Sequence, residues 1–346
     1  SSAASDVYKR QTLEGSADDL AHATNLNNLS DATGAGHTAD DITFNVIGDA
    51  SLDQMAVIAG RTSRTDITVT GNVTGAVSDF IKVDNSDETK HTTLKNHTAG
   101  EPIAISNYTV DGPNAIDRVN ALLSGAEGTV TGTIVDSGNS VLSFTSSKRI
   151  QAQSGDSITV NIGTAIDPNA TNLTQLKELA NQSGITSITG SMTISAADID
   201  TIITGTDFQN LTTSNCDIDF TLDDKVTAAQ AAGLASKVSS TGSVTWHSIE
   251  DAITGLIKND GSAVSDNLAT ALAKDNTVSV NITTSLDDSA HVLGINKIVA
   301  GIHSANTVTA TLSLDKSEAA QFSGVSNQPL TITVSDAMSV LSLIHI

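Results

Sequence analysis

The chain has 346 residues and a formal net charge of −22, with 17 Lys and Arg residues against 39 Asp and Glu residues. This acidic excess repels nucleic acid and anionic lipid, so we expect no nucleic-acid partner and no membrane insertion of this segment. Aromatic residues make up 3% of the chain, which excludes a core of large rings. The composition favours thin layers of aliphatic side chains and threonine, as in a repeat protein.

One strand pattern recurs along the chain, with apolar and polar residues in alternation. Its copies start roughly 50 to 63 residues apart, and such a spacing predicts a tandem array. These first strands are Ile42–Val46, a weaker copy at Ile105–Val110, Ile158–Ile162, Ile218–Leu222, Val278–Ile282 and Leu330–Val334.

A helix and a second strand are predicted after each first strand. Asp, Ser or Thr opens each helix, because their oxygens accept hydrogen bonds from the free amides of a helix N-terminus. The predicted helices are Leu52–Ala59, Ala115–Leu123, Leu173–Ala180, Ala228–Val238 and Ala290–Ile302. The predicted second strands are Ile67–Val73, Val130–Ile134, Ile188–Ile194, Val244–Trp246 and Val308–Leu312. Small residues recur in them, at Gly71, Gly132, Gly190 and Ala310, and indicate positions where a helix lies close.

This order predicts an α/β fold, a strand–helix solenoid of tandem repeats with a parallel sheet, since helical crossovers make successive strands parallel. The alternative is a string of antiparallel β-sandwich modules, which explains the strands but not the capped helices. The predicted boundaries are a partial upstream repeat at 12–41, repeats at 42–104, 105–157, 158–217, 218–277 and 278–329, and a truncated repeat at 330–340. An acidic-basic insert, Asp84–Glu101, interrupts the first full repeat.

The two ends look non-native. Residues 1–11 and 341–346 match the in-frame translation of a sequencing adapter and of its reverse complement. We therefore expect both segments to lie outside the fold and the remainder to be an internal piece of a longer protein.

The outward residues of a stacked parallel sheet would form polar rows. We take as the candidate ligand face Thr68, Thr70, Thr159, Asn161, Thr189, Thr193, Thr309 and Thr311. Threonine is an ordinary choice for a solvated strand face, where hydroxyl ladders stabilise neighbouring strands. A regular Thr and Asn surface also suits a repetitive polar ligand such as a glycan, although Trp246 alone is too few aromatic rings for a strong sugar site.

Paired aspartates in the turns suggest calcium, which prefers hard oxygen ligands. The candidate metal ligands are Asp223, Asp224, Asp287 and Asp288. Neither a Gly-rich calcium nonapeptide nor an EF-hand loop is present in the sequence, and helix capping accounts for the same residues. We expect no other cofactor.

Catalytic motifs are not found, so the sequence indicates a protein that is not an enzyme. The histidines are scattered without the pairing of a metalloprotease, and neither a phosphate loop nor a nucleophile elbow occurs. Cys216 is the only cysteine and is expected to be a buried small apolar residue.

Several local patterns resemble the Thr/Ala/Asp-rich tandem arrays of very large secreted or cell-surface bacterial proteins, including adhesins. The resemblance rests on Thr-Val-Thr-Gly and Ile-Thr-Val-Asn strands, the helix start Ala228–Ala231 and the turn Ser195–Asp198. It implies an extracellular or cell-surface stalk, spacer or adhesin, whose partners are flanking repeats of the same chain and, in a binding role, glycans or cell-surface components. A calcium-stiffened adhesin is a further alternative.

Overall fold

Most of the chain is described by a computed structural model. The described residues are 11–22, 42–61, 67–98, 100, 102–137, 140–142, 149–205, 215–238, 241–284, 289–314, 317, 321, 328 and 330–334. The chain divides into two compact units, which comprise residues 1–164 with 178–188, and residues 165–177 with 189–346. The adapter-like segments, except Gln11, lie outside the described residues, so their interpretation stays a prediction.

Unit 1 is a set of parallel strands, each followed by helices or turns. Strand β2 lies between β1 and β4, and a second series runs in the order β3, β5, β6, β7 and β8. Its elements are β1 (Gln11–Ser16), α1 (Ala17–His22), β2 (Ile42–Ile47), β3 (Ala50–Ser51), α2 (Leu52–Ala59), β4 (Ile67–Val69), β5 (Val73–Gly75), α3 (Val77–Phe80), α4 (Thr89–Lys95), β6 (Ile103–Val110), α5 (Pro113–Gly125), β7 (Val130–Asp136) and β8 (Ser157–Ile162). A short 3-10 turn covers Ser140–Leu142.

Unit 2 repeats this arrangement. Strand β10 pairs with β12, and a series runs in the order β11, β13, β14, β15 and β16, again with parallel neighbours. Its elements are α7 (Ala196–Thr204), β10 (Cys216–Leu222), β11 (Lys225–Val226), α8 (Ala228–Ala235), β12 (Val244–Thr245), β13 (Ser248–Asp251), α9 (Ile253–Leu256), α10 (Asp266–Lys274), β14 (Ser279–Ile282), α11 (Ser289–Gly301), β15 (Val308–Leu314) and β16 (Leu330–Val334). Two elements contain residues of both units, α6 (Ala170–Ala180) and β9 (Ile185–Ile194).

The fold is therefore mixed α/β with parallel sheets, as predicted, and the antiparallel sandwich alternative is wrong for the described strands. Alternation places Ile158, Val160 and Ile162 of β8 in the core, each at most 2% exposed. Asn161 of the same strand is exposed. One face of each strand is thus buried against apolar side chains, and the other carries the polar residues.

The predicted helices and most predicted strands are confirmed, with ends that shift by a few residues. Helix α2 has the predicted bounds because Ser51 and Gln54 form a capping box at its start. The predicted second strand over Ile67–Val73 is instead two short strands. The break falls at Gly71, where an added Cβ would lie 2.4 Å from the carbonyl carbon of Gly48.

The explanation of the small strand residues needs a correction. At Gly132 a Cβ would lie 2.6 Å from the carbonyl oxygen of Ile105 on the adjacent strand β6. Gly71 likewise faces the backbone of Gly48. The close neighbour at both glycines is therefore an adjacent strand or its turn, and not a helix.

The insert predicted over Asp84–Glu101 contains helix α4, and its counterpart in unit 2 is helix α10, which the sequence analysis also missed. Each follows a one-turn helix and a tight turn closed by an antiparallel bridge, Ile81 with Asp87 and Ile257 with Val264. The segments Ile81–Ser86 and Ile257–Ser262 read IKVDNS and IKNDGS and lie 176 residues apart. This distance equals the combined length of three predicted repeats. The turn and the helix after it therefore recur once per unit, at a longer period than that of the first strands. The finer repeat boundaries stay a prediction.

Candidate functional site: polar rows on the strands

A polar row crosses three strands of unit 1. Glu14 of β1 is in register with Asn45 of β2, which is in register with Thr68 of β4. The Asn45 side-chain amide donates to Glu14 Oε2 at 2.7 Å, and the Thr68 hydroxyl donates to Asn45 Oδ1 at 2.9 Å. Parallel strands in register place these side chains side by side, so each polar group has a partner on the next strand.

Unit 2 contains the same three residue types in register. Glu250 of β13, Asn281 of β14 and Thr309 of β15 are in register, and the Thr309 hydroxyl donates to Asn281 Oδ1. A cation extends this row, since Lys225 Nζ lies 2.6 Å from Glu250 Oε1. The hydrogen bond that Lys225 donates to the Glu250 carboxylate, together with the negative charge of that carboxylate, raises the pKa of Lys225. A row of Glu, Asn and Thr on three neighbouring strands thus occurs in both units. The three residues are far apart in the chain, so no linear motif reveals the row.

Threonine hydroxyls also bond to the neighbouring backbone. Thr70 Oγ1 lies 3.3 Å from the carbonyl oxygen of Val46 and accepts a 3.0 Å hydrogen bond from the amide of Gly48. The hydroxyls of Thr74, Thr131 and Thr186 donate to a carbonyl of the neighbouring strand at 3.3 to 3.4 Å. The capacity of these hydroxyls for hydrogen bonds is therefore used in part within the sheet.

The predicted ligand-face residues fall into separate groups. Four of them belong to unit 1: Thr68, Thr70, Thr159 and Asn161. Thr159 is in register with Thr133. The other four belong to unit 2: Thr189 and Thr193 are half-buried on β9, Thr309 joins Asn281, and Thr311 is exposed and in register with Thr331. The register pairs these residues with neighbours outside the predicted set, such as Asn45, Thr133, Asn281 and Thr331, so the predicted ligand face stays a prediction.

The candidate metal ligands are only partly described. Asp223 and Asp224 lie in a bend between β10 and β11, and both are exposed. The Asp224 carboxylate accepts a hydrogen bond from the amide of Lys225 at 2.8 Å. Neither aspartate caps helix α8, because Thr227 does so by accepting from the amide of Gln230. The capping explanation offered for this turn is therefore corrected to Thr227.

Asp287 and Asp288 lie outside the described residues, so the structure does not test them. Among the residues it does describe, no group of three or more His, Cys, Asp or Glu side chains is placed to hold a metal ion. The calcium hypothesis stays a prediction.

Sequence reasoning missed two adjacent depressions that share Asp79 of α3. The first, of ≈ 580 Å³, lies beside β5 and β6, and the second, of ≈ 250 Å³, lies beside α4. Asp79 is anchored by accepting a 2.7 Å hydrogen bond from the amide of Ala76. The first is lined by Thr74, Gly75, Ala76, Asp79, Ala104, Ile105 and Ser106, and the second by Asp53, Ser78, Asp79, Glu88, Thr89 and Lys90. The first depression combines a mostly apolar wall with two hydroxyls and a carboxylate, and the second is lined mainly by polar side chains.

Two buried titratable side chains, Cys216 and His91, have shifted pKa values. Burial raises the pKa of the Cys216 thiol to about 12, so the residue stays protonated and behaves as a small apolar side chain, as expected. His91 is buried in unit 1, and burial lowers its pKa. No helix within the described ranges has the length and apolar character needed to cross a bilayer.

Comparisons with known proteins leave the family open: no protein-family model, no curated protein and no solved structure matches the chain.

Proposed function

We propose that this chain is a structural or interaction segment of a large extracellular or cell-surface protein, built as a strand–helix solenoid that serves as a stalk, spacer or adhesin region. The observation that carries the proposal is the recurrence of the Glu–Asn–Thr row in both units. In unit 1 both inter-strand contacts of the row are hydrogen bonds, and in unit 2 the Thr309 hydroxyl bonds to Asn281 of the next strand. A hydrogen bond of this kind contributes about 1 kcal/mol when both partners are present, so the rows favour holding neighbouring strands in register.

The strand order supports the solenoid part of the proposal. Within each unit, β6, β7 and β8 or β13, β14 and β15 pair with their nearest strand neighbours in the chain. Such local pairing lets further repeats add at either end without a change in the core, which is how repeat proteins lengthen. Flanking repeats of the same longer chain are therefore the first proposed partners.

Small-angle X-ray scattering of the full chain tests the proposed solenoid. A compact chain of this length has a radius of gyration of about 20 Å, and a solenoid predicts a clearly larger value with a constant cross-section. A value near that of a compact chain would contradict the solenoid. Scattering in denaturant supplies the control, because an unfolded chain loses the cross-section signal altogether.

A glycan-binding module is the second candidate, and the depression beside β5 and β6 favours it. Thr74, Asp79 and Ser106 bring two hydroxyls and a carboxylate to one concave surface. A glycan array probed with the full chain, with Ser106→Ala and with Thr159→Val distinguishes a glycan site in the depression from one on the strand face. Binding that Ser106→Ala removes would support a site in the depression, and binding that Thr159→Val removes would support the strand face. No binding by any of the three proteins favours the structural role.

A further inference from the structure

The two units differ in the side chains that hold the helix after the shared turn. In unit 1 the cluster of Phe80, Asp87, His91 and Lys95 occupies these positions. The corresponding positions of unit 2 carry only aliphatic residues, Leu256, Val264, Leu268 and Leu272. The correspondence follows from the bridges Ile81 with Asp87 and Ile257 with Val264, and from one extra residue after Ser262. Titratable side chains therefore take part in the packing of this helix in unit 1, whereas leucine and valine occupy the same positions in unit 2.

His91 is the centre of the polar cluster. It is 0% exposed, and its ring meets the ring of Phe80 edge to face at a centroid distance of 5.3 Å. Its Nδ1 lies 3.2 Å from Asp87 Oδ1, and Lys95 Nζ lies 3.0 Å from Asp87 Oδ2. One carboxylate therefore faces both a buried imidazole and an ammonium group.

Helix α4, which carries His91, packs against α2 and α3. The charged or titratable groups carried by these elements, by α4 with its flanks and by α5 are Asp53, Asp79, Asp87, Glu88, Lys90, Lys95, His97, Asp117 and Arg118. Asp53 is engaged by Lys90 at 2.5 Å, and Arg118 donates to the carbonyl oxygen of Ile81 at 2.6 Å. Strands β4 and β5 carry no charged residue. Asp87 is therefore the anionic group in direct contact with the imidazole, and it is already shared with Lys95.

We propose that α4 of unit 1 is an acid-released element: protonation of His91 between pH 7 and pH 5 opens α4 from α2 and α3, whereas the aliphatic cluster keeps α10 of unit 2 docked. Protonation of His91 would place a second positive charge beside Lys95, and the two charges would share the Asp87 carboxylate. The imidazolium would also lie against Phe80 and lose its hydration, and a buried charge is costly unless it is fully paired. Opening the helix restores water to the ring.

The direction of the pH dependence follows from the protonation states. Burial is the main cause that lowers the pKa of His91 in the folded protein, and Lys95 acts in the same direction, whereas the Asp87 carboxylate and a hydrogen bond with the Phe80 backbone act in the opposite direction. The opened state therefore binds the proton more readily than the closed state does. The stability that neutral His91 contributes is present above the unfolded value of about 6.5 and is lost as the pH falls from there toward the folded pKa.

Hydrogen exchange of the full chain at pH 7 and pH 5 tests the proposal, with protection factors corrected for the intrinsic pH dependence of exchange. We expect the protection of α4 to fall by up to about 25-fold at pH 5, the limit set by an unfolded histidine that titrates near 6.5. Helix α10 in the same sample is the internal reference and should change by less than about threefold. An equal loss of protection in both helices would overturn the proposal.

The variant His91→Leu places in unit 1 the residue that unit 2 carries at this position, and it should abolish the acid-dependent loss in α4. His22→Asn is the matched control, because His22 is an exposed histidine of the same unit; this variant should retain the loss. If His91→Leu does not fold, His91→Gln removes the titration with a polar side chain and should also abolish the pH dependence. A loss of protection that persists in a folded His91 variant would refute the mechanism.

Discussion

Each unit contains a one-turn helix, a tight turn and a following helix. Comparing the two copies separates the residues that form the turn from those that pack the helix after it. Both turns keep an isoleucine, a lysine, an aspartate and a serine in the same order. The aspartate accepts hydrogen bonds from the amide and the hydroxyl of the serine two residues later in each copy. The packed side chains, in contrast, change from a polar cluster to an aliphatic one. Turn chemistry is thus shared between the units, while the contacts that hold the following helix are not.

The largest predicted difference concerns the left-handed residue of the turn. Asn85 and Gly261 both have φ of 65°, but a Cβ on Gly261 would lie 2.1 Å from the carbonyl oxygen of Ala290. We expect Gly261→Ala to lower the free energy of unfolding of unit 2 by about 2–4 kcal/mol, from the left-handed backbone together with overpacking. Trp246 is the only tryptophan and is buried in unit 2, so fluorescence-detected denaturation measures the effect.

Asn85→Gly is the matched variant in unit 1. Glycine tolerates the same backbone angle, and we expect a change within about 0.5 kcal/mol. Circular dichroism follows this variant, since the described part of unit 1 contains no tryptophan. If the two substitutions changed the free energy of unfolding equally, Ala290 would have to move away from residue 261 at no cost in stability.

This contrast also shows how far the sequence could lead. The strands and helices were predictable because apolar periodicity and Ser, Thr or Asp at helix starts are local signals. Helix α10 was missed despite its cap at Ser265, and α4 was missed because its polar residues read as an insert. The Glu–Asn–Thr rows could not be predicted, since Glu14, Asn45 and Thr68 become neighbours only through strand register. The depressions beside Asp79 likewise depend on packing between elements that are distant in the sequence.

Two equivalent capping boxes give the next comparison. The pair Ser51 and Gln54 and the pair Thr227 and Gln230 lie 176 residues apart. In each pair the hydroxyl accepts a 3.2 Å hydrogen bond from the backbone N–H of the glutamine. We expect Ser51→Ala and Thr227→Ala each to cost about 1 kcal/mol, the usual effect of losing an N-cap. Chemical denaturation measures both.

Asp224→Ala is the control for Thr227→Ala, because Asp224 is exposed and does not cap α8. It should change stability by less than about 0.5 kcal/mol. A melt with calcium and with chelator, repeated on this variant and on Asp223→Ala, tests the metal hypothesis at the same site. A calcium-dependent rise in Tm that either substitution removes would show that the turn binds the ion.

The polar rows predict a smaller effect in each unit. Asn45→Val and Asn281→Val each remove the central member of a Glu–Asn–Thr row, while valine has a high preference for strands. We expect a net loss of about 0.5 kcal/mol for each, since the rows are partly solvated. A matched pair of denaturation curves checks this, and Thr311→Val, at an exposed position outside the row, is the control. A much larger loss in one unit would mean that its row does more than hold register.

The smallest effect separates shared turn chemistry from the different packing around it. Hydrogen bonds from Ser86 lower the pKa of Asp84, and those from Ser262 lower the pKa of Asp260. Both carboxylates are exposed, so water screens any effect on stability. Because a lowered carboxylate pKa contributes stability above the unfolded value of about 3.9 and loses it as the pH falls through the folded value, both turns should loosen only in strong acid. NMR titration should find both values below that of a free aspartate and close to each other, and Ser86→Ala or Ser262→Ala should raise only the value in its own turn. If the two pKa values differ widely, the side chains packed beneath the turn affect the pKa of its aspartate. The acid response proposed for α4 could then no longer be assigned to His91 alone.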